Sequence, residues 1–358
     1  MSTTLVVLVA AALTACVGSP SPIASKEPTA SPTPMASASP SAVPTQRPIA
    51  WRELPASGPR PTPREDHTWT VDAEGGVAYL FGGRDVTGPG SYGDLWAYDL
   101  SADTWQQLSG GPPARFGHNA AWVPNIGLVI FAGQDLAFFN DLWAYDPVAD
   151  SWRALPASGT LPVARYGSCA AVGPDGRLWI SHGFTSEGAR FADTRAYDFV
   201  LGTWTDETPL GATPVRRCLH ACWWTDSGGL ALYAGQTNGV TSLGDRWELT
   251  VGPRPGTNAW RELDQDGSPP SARNLYAAAR WGRGTLVFGG QALDGTYLGD
   301  AWLLSDDGTH AQVLPGVAGP SARSGAELLA DAEHGRLLLF GGTSGASVFG
   351  DLWELTLD

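Results

Sequence analysis

Six arginines recur at matching places in this chain of 358 residues: Arg64, Arg115, Arg165, Arg217, Arg273 and Arg323. Each follows a proline-containing turn, and three residues later stand His67, His118, Ser168, His220, Tyr276 and Ala326. If these segments converge, six guanidiniums would focus positive potential on one opening of an otherwise acidic protein. Such a rim suits a carboxylate, a phosphate or an acidic sugar, because a guanidinium grips those groups with two parallel hydrogen bonds. His67, His118 and His220 would add polar contacts there, and Glu65, Asp66 or His67 would be the nearest general base. The competing reading is structural. A residue placed once per repeat is first suspected of holding the repeat together, here by pairing with a repeating aspartate or capping loop carbonyls.

The elements that position these arginines repeat about every fifty residues. Each copy holds a glycine step, such as Phe81-Gly82-Gly83 or Phe340-Gly341-Gly342, then an aspartate step, such as Asp94-Leu95-Trp96 or Asp351-Leu352-Trp353. A lone tryptophan follows in most copies: Trp105, Trp152, Trp204 and Trp260, with Trp51 ahead of the first copy. A repeat of this length means a propeller or a solenoid. Short strands with no helical period, joined by turns such as Ala73-Glu74-Gly75-Gly76, give four antiparallel strands per copy, the content of one propeller blade. The sixth copy ends after its third strand, whereas Trp51-Arg52-Glu53-Leu54 repeats Trp260-Arg261-Glu262-Leu263. The spacing therefore predicts an all-β, six-bladed propeller closed by the N-terminal strand, which completes the last blade and removes open edges.

The Gly-Gly, Asp-x-Trp and trailing Trp signals resemble kelch repeats, whose propeller is shared with the central domain of galactose oxidase, and the resemblance covers residues 50–358. It implies the fold strongly and the activity hardly at all, since kelch propellers serve as cytoskeletal and ubiquitin-ligase adaptors, sugar epimerases, copper oxidases and plant specifier proteins. The specifier iron pattern Glu-xxx-Asp-xxx-His would fall on Glu327, Asp331 and position 335, which is glycine, so that site does not carry over. Cys218, His220 and Cys222 share one strand face but sit almost ~7 Å apart along it, too wide for one metal. No metal and no cofactor is expected. The strand register places Cys169 on the face opposite Cys218 and Cys222, so a disulfide from Cys169 to Cys222, or to Cys218, could bridge two adjacent blades. Three small buried residues are the alternative.

Residues 1–16 carry a nine-residue apolar core and end in Leu13-Thr14-Ala15-Cys16, which resembles a lipobox with Cys16 as the lipidated residue. The absence of Lys or Arg ahead of that core leaves plain secretion as the alternative. Residues 17–49, rich in Ser, Pro, Ala and Thr, read as a tether. A net charge of −14 with no basic run argues against nucleic acid and against docking on anionic lipid. The expectation is a monomer outside the cytoplasm, held to the membrane through the lipid alone.

Loops between second and third strands vary most and carry Tyr92, Phe138, Phe139, Phe191, Tyr297 and Phe349, read either as recognition residues or as plugs under their own blades, the latter favoured. Two functions follow from this reading: a non-catalytic module for an extracellular protein or glycan, placed first because no catalytic pair is visible, or an enzyme that isomerises an acidic sugar at an arginine-lined mouth.

Overall fold

The computed structural model describes residues 49–357, apart from 56, 89, 187, 239–240, 255, 266 and 314–317. The signal, lipobox and tether readings, Cys16 included, lie outside the described residues. Six four-stranded antiparallel sheets follow one another, each ordered from an inner to an outer strand. Blade 1 is Thr68–Asp72, Val77–Phe81, Leu95–Asp99 and Thr104–Leu108; blade 2 is Asn119–Val123, Gly127–Phe131, Leu142–Asp146 and Ser151–Ala154. Blade 3 is Cys169–Val172, Leu178–Ser181, Thr194–Asp198 and Thr203–Asp206, with Ser158–Gly159 added in parallel at its outer edge. Blade 4 is Ala221–Trp224, Leu230–Gln236, Ser242–Thr250 and Ala259–Glu262; blade 5 is Ala277–Trp281, Gly284–Phe288, Ala301–Ser305 and His310–Val313. Blade 6 is Glu327–Asp331, Arg336–Phe340, Leu352–Thr356 and, from the other end of the chain, Ala50–Leu54.

The closing strand pairs in register from Ala50 opposite Thr356 to Leu54 opposite Leu352, and Arg52 reaches both carboxylate oxygens of Glu354 at 3.1 Å. Second strands such as Val77–Phe81 and Gly127–Phe131 are apolar runs because each is covered on both faces by neighbouring blades. The first tryptophan of an outer strand packs on the aromatic residue ending the second strand of the preceding blade. Trp152 meets Phe81 at 5.2 Å between ring centres, Trp204 meets Phe131 at 5.0 Å, Trp105 meets Phe340 at 5.4 Å and Trp51 meets Phe288 at 5.3 Å. Such pairs add about 0.5–1.5 kcal/mol each beyond the area they bury. Two blades depart from the pattern: blade 5 has His310 in the tryptophan position, and Trp260 of blade 4 faces a strand ending in Ser181 and meets His182 instead.

A candidate site at the channel rim

The six arginines do not form the mouth of the channel. Each is fully buried and pairs with the aspartate of its own blade's aspartate step: Arg64 with Asp94, Arg115 with Asp141, Arg165 with Asp193, Arg217 with Asp245, Arg273 with Asp300 and Arg323 with Asp351, at 2.6–2.8 Å. The same guanidinium donates to a carbonyl of the glycine step (Arg115 Nη1 to Ala132 O, 3.0 Å) and, through Nε, to the carbonyl two residues before it (Arg115 to Pro113 O, 3.1 Å). The indole of the aspartate step donates to the same carboxylate, as Trp143 does to Asp141 at 2.8 Å. Burial alone would raise the carboxyls of Asp94, Asp141, Asp193, Asp245, Asp300 and Asp351, but the guanidinium hydrogen bonds and charge outweigh it and hold all six below the usual range. Loop aromatics cap four guanidiniums from the other side: Tyr92 over Arg64, Phe139 over Arg115, Phe191 over Arg165 and Phe349 over Arg323, at 4.0–4.4 Å. Buried in these pairs, the six arginines leave the list of ligand candidates, and the structural reading, pairing with a repeating aspartate, is the one observed. The motif is a brace that ties the start of each inner strand to the third strand of the same blade.

His67, His118 and His220 line the channel, but their rings are buried and wedge between blades. His67 lies edge-on to Phe340 at 5.6 Å, His118 lies edge-on to Phe81 at 5.3 Å and accepts or donates at Thr68 Oγ1 (2.8 Å), and His220 faces His182 at 5.5 Å. Burial, aided by nearby positive groups, pushes all three far below the ordinary imidazole pKa, so they are neutral. Cys169 and Cys222 form a disulfide between the inner strands of blades 3 and 4, with Cα atoms 5.6 Å apart, and Cys218 is a buried free thiol. Among the described residues no group of three His, Cys, Asp or Glu could hold a metal.

One residue per blade, two positions after each arginine, builds the rim. Asp66, Gly117, Gly167, Leu219, Leu275 and Gly325 all adopt φ between +54° and +63°. Each donates its backbone N–H to the carbonyl of its counterpart in the preceding blade: Gly117 to Asp66 (2.8 Å), Gly167 to Gly117 (3.0 Å), Leu219 to Gly167 (2.8 Å), Leu275 to Leu219 (3.1 Å), Gly325 to Leu275 (2.8 Å) and Asp66 to Gly325 (2.9 Å). This closed ring of peptide hydrogen bonds fixes the position of the rim. Left-handed backbone costs a leucine about 1–2 kcal/mol, so Leu219 and Leu275 keep it only because the ring holds it in place.

Side chains on this rim are unequal. Asp66 accepts from Tyr166 Oη at 3.0 Å and from Arg84 Nη2 at 3.1 Å, while Arg84 Nε donates to Glu65 at 3.0 Å. Tyr166 reaches Asp66 from two blades away by lying across Gly117, where a Cβ would come within 2 Å of the phenol ring, at 1.8 Å. Arg84 stacks on Phe116 at 4.2 Å. Glu327, on the inner strand of blade 6, lines the same channel, which encloses about 210 Å³ together with Asn119 and Ser168. Burial, then the charge of Asp66, pushes Glu327 up to about 8 and Glu65 up to about 7, and burial raises Asp66 as well. Carboxyls poised near neutrality can pass or take a proton. Sequence reasoning reached Glu65 and Asp66 only as neighbours of the arginines, weighed Glu327 only for an iron pattern that does not carry over, and passed over Arg84 and Tyr166. The usable signal was a glutamate at the inner-strand position that Asn119, Cys169, Ala221 and Ala277 occupy elsewhere.

Six braced four-stranded blades closed around a channel define a kelch-type β-propeller. The chain belongs to the kelch-repeat family: residues 45–228 and 211–358 match the KLHDC2/KLHL20/DRC7 Kelch-repeats domain. It is 30% identical over 208 residues to acyl-CoA-binding domain-containing protein 4 of Arabidopsis thaliana, covering 56% of this chain and 30% of that protein. It is 29% identical over 260 residues to multiple epidermal growth factor-like domains protein 8 of Homo sapiens, covering 67% and 9%. With Adagio-like protein 1 of Oryza sativa subsp. japonica the figures are 26% over 318 residues, 84% and 42%. The chain therefore spans under half the length of these relatives. Among solved structures, YjhT superposes with a TM-score of 0.66 over 84% of this chain and 96% of that one at 17% identity, a likeness of fold.

Proposed function

We propose that the protein is an extracytoplasmic, lipid-anchored binding module that presents one face of its propeller to a protein or glycan partner. One observation carries this reading. The loops after the second strands and the connections between blades open on the same face, and there Val86, Leu136, Leu161, Val163, Leu210 and Leu293 stand between 44% and 100% exposed. Such side chains on a rigid scaffold mark a recognition face. The disulfide supports an oxidising compartment, and the lipobox-like ending at Cys16 supports an anchor. In the cells that make the protein, a photo-crosslinking residue at Leu136 or Leu210 should give a defined adduct, whereas one at Val148 or Val200, on turns of the opposite face, should give none. Equal labelling from both faces sinks the proposal, and a Cys16→Ser protein that stays in the membrane fraction sinks the anchor.

The rim cluster favours a second reading, an enzyme acting on a carbohydrate in the channel with Glu327 or Glu65 as the proton carrier. With the six arginines committed to braces, recognition of an acidic sugar would fall to Arg84 beside three carboxyl groups, so neutral or amino sugars suit the site better. Loss of sugar epimerisation or mutarotation in Glu327→Gln, followed by proton NMR, would support it; turnover equal to wild type would remove it.

A further inference from the structure

The pentapeptide Leu-Pro-Ala-Ser-Gly occurs twice, at residues 54–58 and 155–159, each time leading from the outer strand of one blade to the next blade. The two copies are seated differently. After blade 2, Ser158 and Gly159 lie parallel to the outer strand of blade 3. There Ser158 N donates to Gly202 O at 3.2 Å, Thr160 N to Trp204 O at 2.9 Å and Tyr197 Oη to Pro156 O at 2.6 Å. After the closing strand of blade 6, Ser57 and Gly58 make no such bonds among the described residues, and a Cβ on Gly58 would meet nothing within 4 Å.

One residue accounts for most of the difference. Gly202, in the turn before the outer strand of blade 3, has φ +66°, and a Cβ there would come to 2.9 Å from Pro156 Cγ. The matching residue of blade 1 is Asp103, at φ +54°, so a side chain stands where Pro55 would sit. Tyr98 Oη at 2.9 Å and Arg336 Nη2 at 2.7 Å hold that carboxylate in place. Blade 2 also has an aspartate here, Asp150, but its connector meets it with the N–H and hydroxyl of Ser109, at 3.1 and 2.8 Å. Pro55, in the place of Ser109, has no N–H to give. Aspartate and proline together hold the connector off blade 1 and leave a cavity of about 230 Å³ between blades 6 and 1.

A cavity of about 150 Å³ is enough to bind benzene, so this one takes an aromatic ring with a short substituent. Its walls include the buried side chains of Leu54, Phe340, Leu352 and Trp105. Its charges do not cancel. Arg52 is paired with Glu354 and Asp103 with Arg336, whereas Arg60, exposed at the same cavity, has no ion-pair partner among the described residues. Trp105 is 8% exposed, and no acceptor among the described residues takes its indole N–H. The N–H groups of Trp69, Trp204 and Trp260 also lack acceptors, but those are sealed from solvent, and that of Trp105 is not. In blade 2 the corresponding N–H, of Trp152, is taken by Ser109 O at 3.2 Å. Two donors, one of them cationic, thus border a space with apolar walls.

We propose that this cavity is a binding site for a small aromatic carboxylate, with its ring among Leu54, Phe340 and Leu352 and its charge held by Arg60 and the Trp105 N–H. The site is built from outer strands and a connector and shares no residue with the channel.

Ligand-observed NMR titration of the full-length protein with phenylacetate, acetate and benzyl alcohol tests this. Phenylacetate should saturate with a Kd of about 1 mM or tighter. Acetate, which lacks the ring, and benzyl alcohol, which lacks the charge, should bind at least about tenfold more weakly. Arg60→Gln should weaken phenylacetate by about tenfold. Asp103→Gly, which copies Gly202, should let Pro55 seat against blade 1 and abolish binding. A wild type that phenylacetate does not saturate overturns the proposal, as does an unchanged affinity in Asp103→Gly. If Asp103→Gly does not fold, an unchanged affinity in Arg60→Gln, at an exposed residue outside the core, overturns it alone.

Discussion

Two arcs of the channel rim share one backbone and differ in nearly every side chain. On blades 4 and 5 the ring residues are Leu219 and Leu275, followed on the inner strands by Ala221 and Ala277, and the arc is apolar. On blades 6 and 1 the corresponding places hold Glu327 and Asp66, joined by Glu65 and Arg84, with Tyr166 reaching in from blade 3. The peptide hydrogen bonds are the same in both arcs, so the carboxyls are not needed to build the ring. What is repeated six times in this molecule is scaffold, and what appears once is where a ligand would be told apart from water.

The comparison breaks most visibly at the braces. Arg115→Ala strands Asp141 and leaves the Pro113 and Ala132 carbonyls without their donor, and should lower stability by about 3–5 kcal/mol, whereas Arg84→Ala, whose buried partners Glu65 and Asp66 can take up a proton, should cost about 1–3 kcal/mol. Urea unfolding of both variants checks this, and similar costs would mean that the rim cluster is scaffold too. The disulfide ties the apolar arc to the rest of the ring, so Cys169→Ala should cost about 2–4 kcal/mol. A melt that responds to reductant in the wild type and not in the variant would confirm that link.

The smallest effect probes the charged arc through pH. A carboxyl raised from 4.5 to about 8 on folding holds its proton more tightly in the folded state. Stability is therefore intact below the unfolded value and declines as pH rises through that window. Glu327→Gln should match wild type near pH 5 and exceed it near pH 9 by on the order of 1–2 kcal/mol. Parallel pH profiles would show that Glu327 is not held as described.

Repetition explains what could be read in advance. Blade number, the closing strand and the interblade place of Trp105, Trp152 and Trp204 follow from periods and alternation, which depend on backbone geometry alone. For the arginines two destinations stayed open, a ligand or a repeating aspartate, because position along the chain places a Cα and not a guanidinium. Arg64 and its counterparts point back to Asp94 and its counterparts, a pairing that the fixed spacing allowed but did not compel. His67, His118 and His220 do line the channel, but their rings turn between blades, where Phe340, Phe81 and His182 receive them. The rim cluster was hard to see because its members come from three blades and from several different repeat positions.

The closing strand has one more consequence. Ala50 lies beside Thr356 at the face of tight turns, and Leu54 lies beside Leu352 toward the loop face. A pull on Ala50 directed away from the loop face would load all the rungs of this strand in shear, together, instead of peeling them one at a time. Blade 6 would then act as a mechanical latch, strongest along the direction of its own closing strand.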